Sequence, residues 1–103
     1  MDFVTEVYLL TRKYPRFEIF GLSSQTQRAA TSIPFNISEG SAKSSDKDFA
    51  RFLEMAVGSS YELESAFLVA NNLGYINNEL LNEKLNKLWE LQKMILSFKN
   101  NLK

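Results

Sequence analysis

The sequence contains no cysteine and no histidine. These absences exclude disulfide bonds, thiol nucleophiles, thiolate or imidazole metal ligands and histidine acid–base catalysis. A chain without cysteine is compatible with the cytoplasm, which is the location we expect. No apolar run approaches the roughly 18 residues that a membrane span requires, so we expect no membrane association.

An excess of one charge is also missing, because twelve basic and twelve acidic residues give a formal net charge of zero. A neutral chain lacks the long-range positive field of a dedicated nucleic-acid binder, so such binding would depend on local clusters. A glycine-rich phosphate loop is absent, since the stretch from Gly40 to Ser44 follows a predicted helix instead of opening one. We therefore expect no enzymatic activity, no cofactor, no metal and no small-molecule substrate.

Apolar residues recur at helical spacing in four segments, and no stretch alternates as a strand would. The sequence predicts helices over residues 2–14, 23–40, 46–73 and 78–99. With short connectors and 103 residues, it predicts one all-α domain spanning residues 1–103, an antiparallel up-down-up-down four-helix bundle.

Helix-end signals separate these segments. Pro15 ends the first helix, because the residue before a proline is disfavoured in the α region. Ser24 and Gln27 match a capping box for the second helix. Gly40 and Gly74 are predicted to end the second and third helices in the left-handed conformation. The candidate N-caps of the last two helices are Ser45 or Asp46, and Asn77 or Asn78.

The second helix carries a proline in its interior. Pro34 removes one backbone donor and crowds the carbonyl of Ala30, at a cost of roughly 3 kcal/mol in an ordinary helix. We predict a bend at this point that permits a close approach to a neighbour. Gly58 in the third helix predicts a second place where another backbone comes close.

One narrow face of the second helix displays a line of polar residues, and the third helix carries two carboxylates. The set comprises Arg28, Ser32, Asn36, Glu39, Glu62 and Glu64. We interpret it as an internal network in which Arg28 pairs with Glu62 while Asn36 and Glu39 bond at the bend. The alternative is a polar pocket or a partner-binding groove. Under the first interpretation, Arg28→Ala lowers the free energy of unfolding by several kcal/mol.

Several motifs together resemble a known family. They are Gly21-Leu22, Arg28-Ala29-Ala30, Ser32-Ile33-Pro34, Asn36, Glu39-Gly40, Phe49, Arg51-Phe52-Leu53, Gly58-Ser59, Glu62-Leu63-Glu64 and Leu73-Gly74-Tyr75. The pattern resembles the bacterial proteins encoded by intervening sequences in 23S ribosomal RNA genes, also described as S23 ribosomal protein. The family's first helix usually begins earlier than this one.

This resemblance implies a four-helix bundle that assembles as a ring, with a homopentamer as the expected state. It implies no established enzymatic reaction. A more distant resemblance is to the accessory protein of diversity-generating retroelements, a similar ring that works with a reverse transcriptase and nucleic acid.

Basic residues are predicted to cluster at both ends of the bundle. One end carries Arg12, Lys13 and Arg16, offset mainly by Glu18. The other end carries Lys43, Lys47, Lys99 and Lys103, against Asp2, Asp46 and Asp48. A fivefold ring would repeat each cluster and make contact with RNA or the ribosome plausible, whereas in a monomer such clusters are ordinary solvated surface. A purely structural ring with a protein client is the alternative function.

The apolar arc of the fourth helix is wider than contact with one neighbouring helix requires. Tyr8 and Trp89 are candidates for an oligomer interface, and the alternative is that they complete a small core. The connector after the first helix carries Phe17, Ile19 and Phe20, which we expect to fold back over the end of the bundle.

Overall fold

The computed structural model describes residues 2–102. This part of the chain is all-α and contains four α-helices, one short 3₁₀-helix and no strand. The helices are α1 (Phe3–Thr11), α2 (Leu22–Ser41), α3 (Asp46–Asn72) and α4 (Asn78–Asn100), with the 3₁₀-helix at Arg16–Glu18. The predicted all-α class with four helices is confirmed. No helix within these residues combines the length and hydropathy of a membrane-spanning segment.

The first helix ends at Thr11, earlier than the predicted Tyr14. The amides of Lys13 and Tyr14 bond to carbonyls three residues back, on Leu10 at 3.1 Å and Thr11 at 3.0 Å. This tighter pattern replaces the last α-helical turn, because Pro15 disfavours the α conformation at the residue before it.

The start of α2 is capped by a residue from outside the helix. The amide of Leu22 donates to Oε1 of Glu18 at 3.0 Å. The predicted capping box is wrong: the N-cap carries no side-chain hydrogen bond, so Ser24 does not serve as the cap. The side chain of Gln27 instead donates to the hydroxyl of Thr11 at 2.9 Å, which joins α2 to α1.

The helix continues through Pro34 and ends at Ser41. Gly40 therefore lies within the helix, and the prediction that it adopts the left-handed conformation is wrong. A Cβ atom placed on Gly40 would lie 2.7 Å from Cβ of Phe52 and 2.9 Å from Cδ1 of Phe49. Glycine is needed here because α2 and α3 pack against each other without room for a methyl group.

The close approach predicted at Gly58 is not made within the described part of the chain, because nothing lies within 4 Å of a Cβ built there. The signals around the later helices are confirmed. Gly74 adopts a φ of 83° after α3. Ser45 and Asn77 are the N-caps of α3 and α4, accepting the amides of Asp48 and Leu80.

All four helices contribute to one hydrophobic core. Its buried members include Val7, Leu10, Ala30, Ile33, Leu53, Leu63, Phe67, Leu85, Leu88 and Ile95. Burying each large apolar side chain stabilises the fold by about 1.5–3 kcal/mol. The main helix contacts join α1 to α2, α2 to α3 and α3 to α4. This arrangement leaves the outer side of α2 and α3 open to solvent.

The connector between α1 and α2 does not cover the end of the core. Phe17, Ile19 and Phe20 are 78%, 52% and 97% exposed, so the prediction that they fold back is wrong. The turn instead directs Glu18 inward, where its Oε2 atom accepts the hydroxyl of Tyr75 at 2.8 Å. A polar contact therefore closes this end, and the aromatic residues around it point outward.

Candidate functional site on the α2–α3 face

An open groove of about 520 Å³ runs between α2 and α3. Its lining residues are Leu22, Gln25, Arg28, Ala29, Ser32, Ser59, Glu62, Ser65, Ala66 and Val69. Ala29 and Ala66 are buried, at 4% and 9% exposure. The groove thus combines a base of small apolar side chains with polar side chains from both helices, including one cation and one anion.

The predicted ion pair between Arg28 and Glu62 is absent, since within residues 2–102 no nitrogen and oxygen of this pair lie within 4.0 Å. Both side chains are exposed. An ion pair in water gains little and costs side-chain freedom, so nothing draws the two together across the groove. The internal network therefore fails at its central contact, and the large expected effect of Arg28→Ala loses its basis.

The rest of the polar line is divided between local bonding and exposure. The side-chain amide of Asn36 donates to the carbonyl of Ser32 at 2.8 Å, one turn earlier on the same helix. The carboxylate of Glu39 is exposed and has no hydrogen bond or ion pair in the described part of the chain. These residues therefore belong to a solvent-facing surface and do not bridge α2 to α3.

Glu64 lies on a different side of α3 from Glu62. Its Oε1 atom accepts the indole N–H of Trp89 at 3.0 Å and the side-chain amide of Gln92 at 3.3 Å. Glu64 therefore joins α3 to α4 and is not part of the groove.

The two predicted interface residues occupy separate helices. Tyr8 on α1 is 40% exposed and Trp89 on α4 is 42% exposed. No hydrogen bond or ring contact between them is present in residues 2–102. Their role in an oligomer interface remains a prediction.

The predicted basic cluster at the α1 end is exposed and has no ion pair within residues 2–102. Arg12 and Arg16 line one groove of about 300 Å³, while Lys13 lines a neighbouring one. Glu18, expected to offset them, accepts hydrogen bonds from the Leu22 amide and the Tyr75 hydroxyl, and these bonds lower its pKa. The three cations therefore remain available to a ligand.

The cluster predicted at the other end is partly used within the chain. The ammonium group of Lys43 lies 5.1 Å from the centre of the Phe52 ring, a cation–π contact. Lys99 pairs with Glu54 at 3.0 Å. Lys47 is exposed, and Lys103 lies outside the described residues.

The order of the helices, the glycine after α3 and the polar face of α2 match the resemblance noted in the sequence. The sequence model of the 23S rRNA-intervening sequence protein family matches residues 1–97. The chain belongs to this family. A search of curated proteins found no match.

This member of the 23S rRNA-intervening sequence protein family also has a charged cluster that sequence reasoning missed. Glu6 on α1 accepts hydrogen bonds from Lys84 at 2.9 Å and Lys87 at 2.7 Å on α4. Lys84 is only 7% exposed. The bond from Lys87, followed by that from Lys84, lowers the pKa of Glu6. The one available signal was a lysine within the apolar arc of α4.

No group of three or more acidic side chains within residues 2–102 could hold a metal ion. The groove on the α2–α3 face also offers no pair of carboxylates on a common side, because Glu64 faces α4. The groove therefore presents one cation and one anion beside small apolar side chains.

Proposed function

We propose that the protein is a non-enzymatic helical module that assembles with copies of itself into a ring, with a pentamer as the expected state. In this proposal the ring associates with ribosomal RNA or with an RNA-handling protein. The cytoplasm is its proposed location, and no cofactor or small-molecule substrate takes part.

The supporting observation is the amount of apolar surface left open. Large apolar side chains are exposed on each of the four helices and on the connector, and the most exposed are Phe20, Phe17, Met94 and Phe35, at 97%, 78%, 68% and 65%. Large exposed apolar patches mark interaction sites on protein surfaces. In this proposal, self-association covers exposed apolar side chains on several elements with one type of partner.

An antiparallel up-down-up-down bundle, bent at Pro34, belongs to the same proposal. Paired contacts support the helix directions. Glu54 on α3 pairs with Lys99 on α4, whereas the later Glu64 accepts from the earlier Trp89. Partners thus move backward along α4 as α3 advances. The bend is supported by the backbone donor that Pro34 lacks inside α2.

The RNA component of the proposal is supported by Arg12, Lys13 and Arg16. They are exposed, and they remain without an ion pair in the described residues. In a pentamer these three charges become about fifteen around one rim, and multiple phosphate contacts add in affinity.

Solution mass tests self-assembly. We expect light scattering coupled to size exclusion to give a multiple of the 11.8 kDa chain mass, with five copies for the pentamer. A monomer at high micromolar concentration would contradict the proposal.

Salt-dependent RNA binding tests the second component. We expect a structured fragment of 23S ribosomal RNA to bind with an affinity that falls steeply with salt, and the triple variant Arg12→Glu, Lys13→Glu, Arg16→Glu to lose most of it. Lys93→Glu on α4 is the control for the effect of reversing one positive charge outside this cluster. Equal binding by the triple variant and the parent would contradict the RNA role.

The second candidate function is a structural ring that binds a protein client, including a role like that of a reverse-transcriptase accessory protein. The exposed Phe17, Ile19 and Phe20 favour it, because such a connector offers an apolar surface to a protein. Client binding that is indifferent to salt, and that is lost on Phe20→Ser, would favour this function over RNA binding.

A further inference from the structure

On the outer face of α2 and α3, residues at the same height along the two helices form pairs, and we call each such height a level. The levels follow from the contacts at one end, where Gly40 lies against Phe49 and Phe52. Because the helices run in opposite directions, each step back along α2 corresponds to one step forward along α3. This count places Arg28 level with Glu62, in agreement with their common groove.

The same count gives three further levels. Ser32 lies level with Gly58, Phe35 with Met55, and Glu39 with Arg51. Phe35 and Met55 are 65% and 51% exposed, and both charged levels are exposed. From Arg28 to Glu39 the matched levels extend over about 16 Å of helix.

At each level the two helices carry complementary chemistry. Arg28 and Glu62 have opposite charge, as do Glu39 and Arg51, and between them lie one apolar pair and one pair of small residues. Arg28, Glu62 and Glu39 form no ion pair within residues 2–102, and Arg51 has only an exposed contact with Asp48 at 3.5 Å. The chain therefore presents matched partners that it does not join to each other.

We propose that a second copy of the same chain covers this face, with α2 of one copy lying against α3 of the next. If the copies are related by a rotation axis parallel to the helices, each residue keeps its height along that axis. Every level of one copy then faces the same level of the next. Arg28 then meets Glu62 of the neighbouring copy, Phe35 meets its Met55, and Glu39 meets its Arg51. Since both halves of each pair come from one sequence, the complementarity is satisfied by another copy and needs no separate partner.

This interface also accounts for Gly58. A glycine in the middle of a helix is destabilising by roughly 1 kcal/mol relative to alanine, and nothing in its own chain approaches it. On the proposed face Gly58 lies opposite Ser32 of the neighbouring copy. Two small residues at this level let the backbones of α2 and α3 approach each other between copies.

The inference rests on the proposed self-assembly and specifies its surface. The experiment therefore tests self-assembly and the choice of surface separately. The mass of the parent chain is measured first. Arg28→Glu and Glu62→Arg are then measured alone and as an equimolar mixture. We expect each variant alone to weaken assembly by about tenfold or more in dissociation constant, because like charges face each other.

The mixture distinguishes contacts between copies from contacts within one chain. A chain with Arg28→Glu offers two anions at this level and a chain with Glu62→Arg offers two cations, so opposite charges face each other wherever unlike chains meet. The mixture is therefore expected to assemble more tightly than either variant alone, although a ring of five retains at least one contact between like chains. Lys93→Glu and Glu79→Arg on α4 are the matched controls and are expected to assemble like the parent. Circular dichroism confirms that each variant is folded, which is expected because the changed side chains are exposed.

Three outcomes would overturn the inference. If both single variants assemble like the parent, self-assembly stands but uses another surface. If Lys93→Glu dissociates the assembly instead, the interface lies on α4. A monomeric parent chain would overturn the proposed self-assembly together with this interface.

A covalent readout uses the absence of cysteine from the sequence. A mixture of two chains, one with Ser32→Cys and one with Gly58→Cys, is expected to give disulfide-linked heterodimers under mild oxidation. A mixture with Ser44→Cys in place of Ser32→Cys is the control and is expected to remain uncrosslinked. Equal crosslinking in both mixtures would contradict the proposed register.

Discussion

Charged side chains form ion pairs between α1 and α4, whereas Arg28 and Glu62 on the α2–α3 face do not pair with each other. Between α1 and α4, Glu6 binds Lys84 and Lys87, and Lys84 is almost fully buried. On the α2–α3 face, Arg28 and Glu62 share a groove but remain apart. Burial makes pairing necessary in the first region, whereas water makes it nearly worthless in the second. The unpaired charges are therefore the ones available for recognition.

The sharpest test of this comparison removes one carboxylate from each region. We expect Glu6→Gln to lower the free energy of unfolding by about 3 kcal/mol, because it leaves Lys84 buried without its counter-charge. The matched variant Glu62→Gln is expected to stay within about 0.5 kcal/mol of the parent under conditions where the chain is monomeric. Urea unfolding at pH 7 measures both, and equal effects would contradict the comparison.

The pH dependence gives the same distinction. The two lysines hold the pKa of Glu6 below its ordinary value of 4.5, so its contribution is present above that ordinary value and is lost as the pH falls through the lowered pKa. We expect the stability difference between the parent and Glu6→Gln to shrink at acid pH. Urea unfolding at a series of pH values measures it, and a constant difference would contradict the assignment.

Gly40 and Gly58 test the two sides of the α2–α3 pair. Gly40 lies where the two helices pack against each other, and Gly58 lies on the open side. Gly40→Ala is expected to lower the free energy of unfolding by about 2 kcal/mol, because the new Cβ would overlap Phe52. Gly58→Ala is expected to raise it by about 1 kcal/mol, since the site is open and alanine favours the helix. Thermal unfolding of both variants as monomers checks this, and a loss of stability at Gly58 would show that its surroundings are not open.

A buried polar atom without a partner tests whether burial is the deciding factor. The hydroxyl of Tyr14 has no hydrogen bond in the described part of the chain, and burial raises the pKa of Tyr14 to about 12. We expect Tyr14→Phe to raise the free energy of unfolding by about 1 kcal/mol. The control Tyr75→Phe removes a hydroxyl that binds Glu18 and is expected to lower it by a similar amount. Opposite signs in chemical unfolding are the expected result.

The smallest expected effect belongs to Arg28→Ala. Because the side chain is exposed and unpaired within residues 2–102, the monomer's free energy of unfolding is expected to change by no more than about 0.5 kcal/mol. Thermal unfolding at low protein concentration measures it. A loss of several kcal/mol would revive the internal network that the sequence predicted.

The sequence was informative where structure depends on local spacing. The four helices follow from apolar periodicity, and the ends around Ser45, Gly74 and Asn77 follow from side-chain and backbone rules that act within a few residues. The capping of α2 was missed because Glu18, which supplies it, belongs to the preceding turn.

The contents of the site depend on longer-range geometry. Whether Arg28 reaches Glu62 is decided by how α2 and α3 rotate and how far apart they lie, and spacing along one helix does not determine either. The bond between Glu6 and Lys84 joins positions separated by 78 residues. The polar line on α2 could be recognised from the sequence, but its solvent exposure could not.

The two oxygens of Glu18 have a consequence for local unfolding. One caps the first turn of α2, and the other holds Tyr75 in the link between α3 and α4. Two chain reversals far apart in sequence are thus fastened by a single carboxylate. We expect fraying at either segment to loosen the other, so that this end of the molecule opens as one cooperative unit together with its aromatic connector.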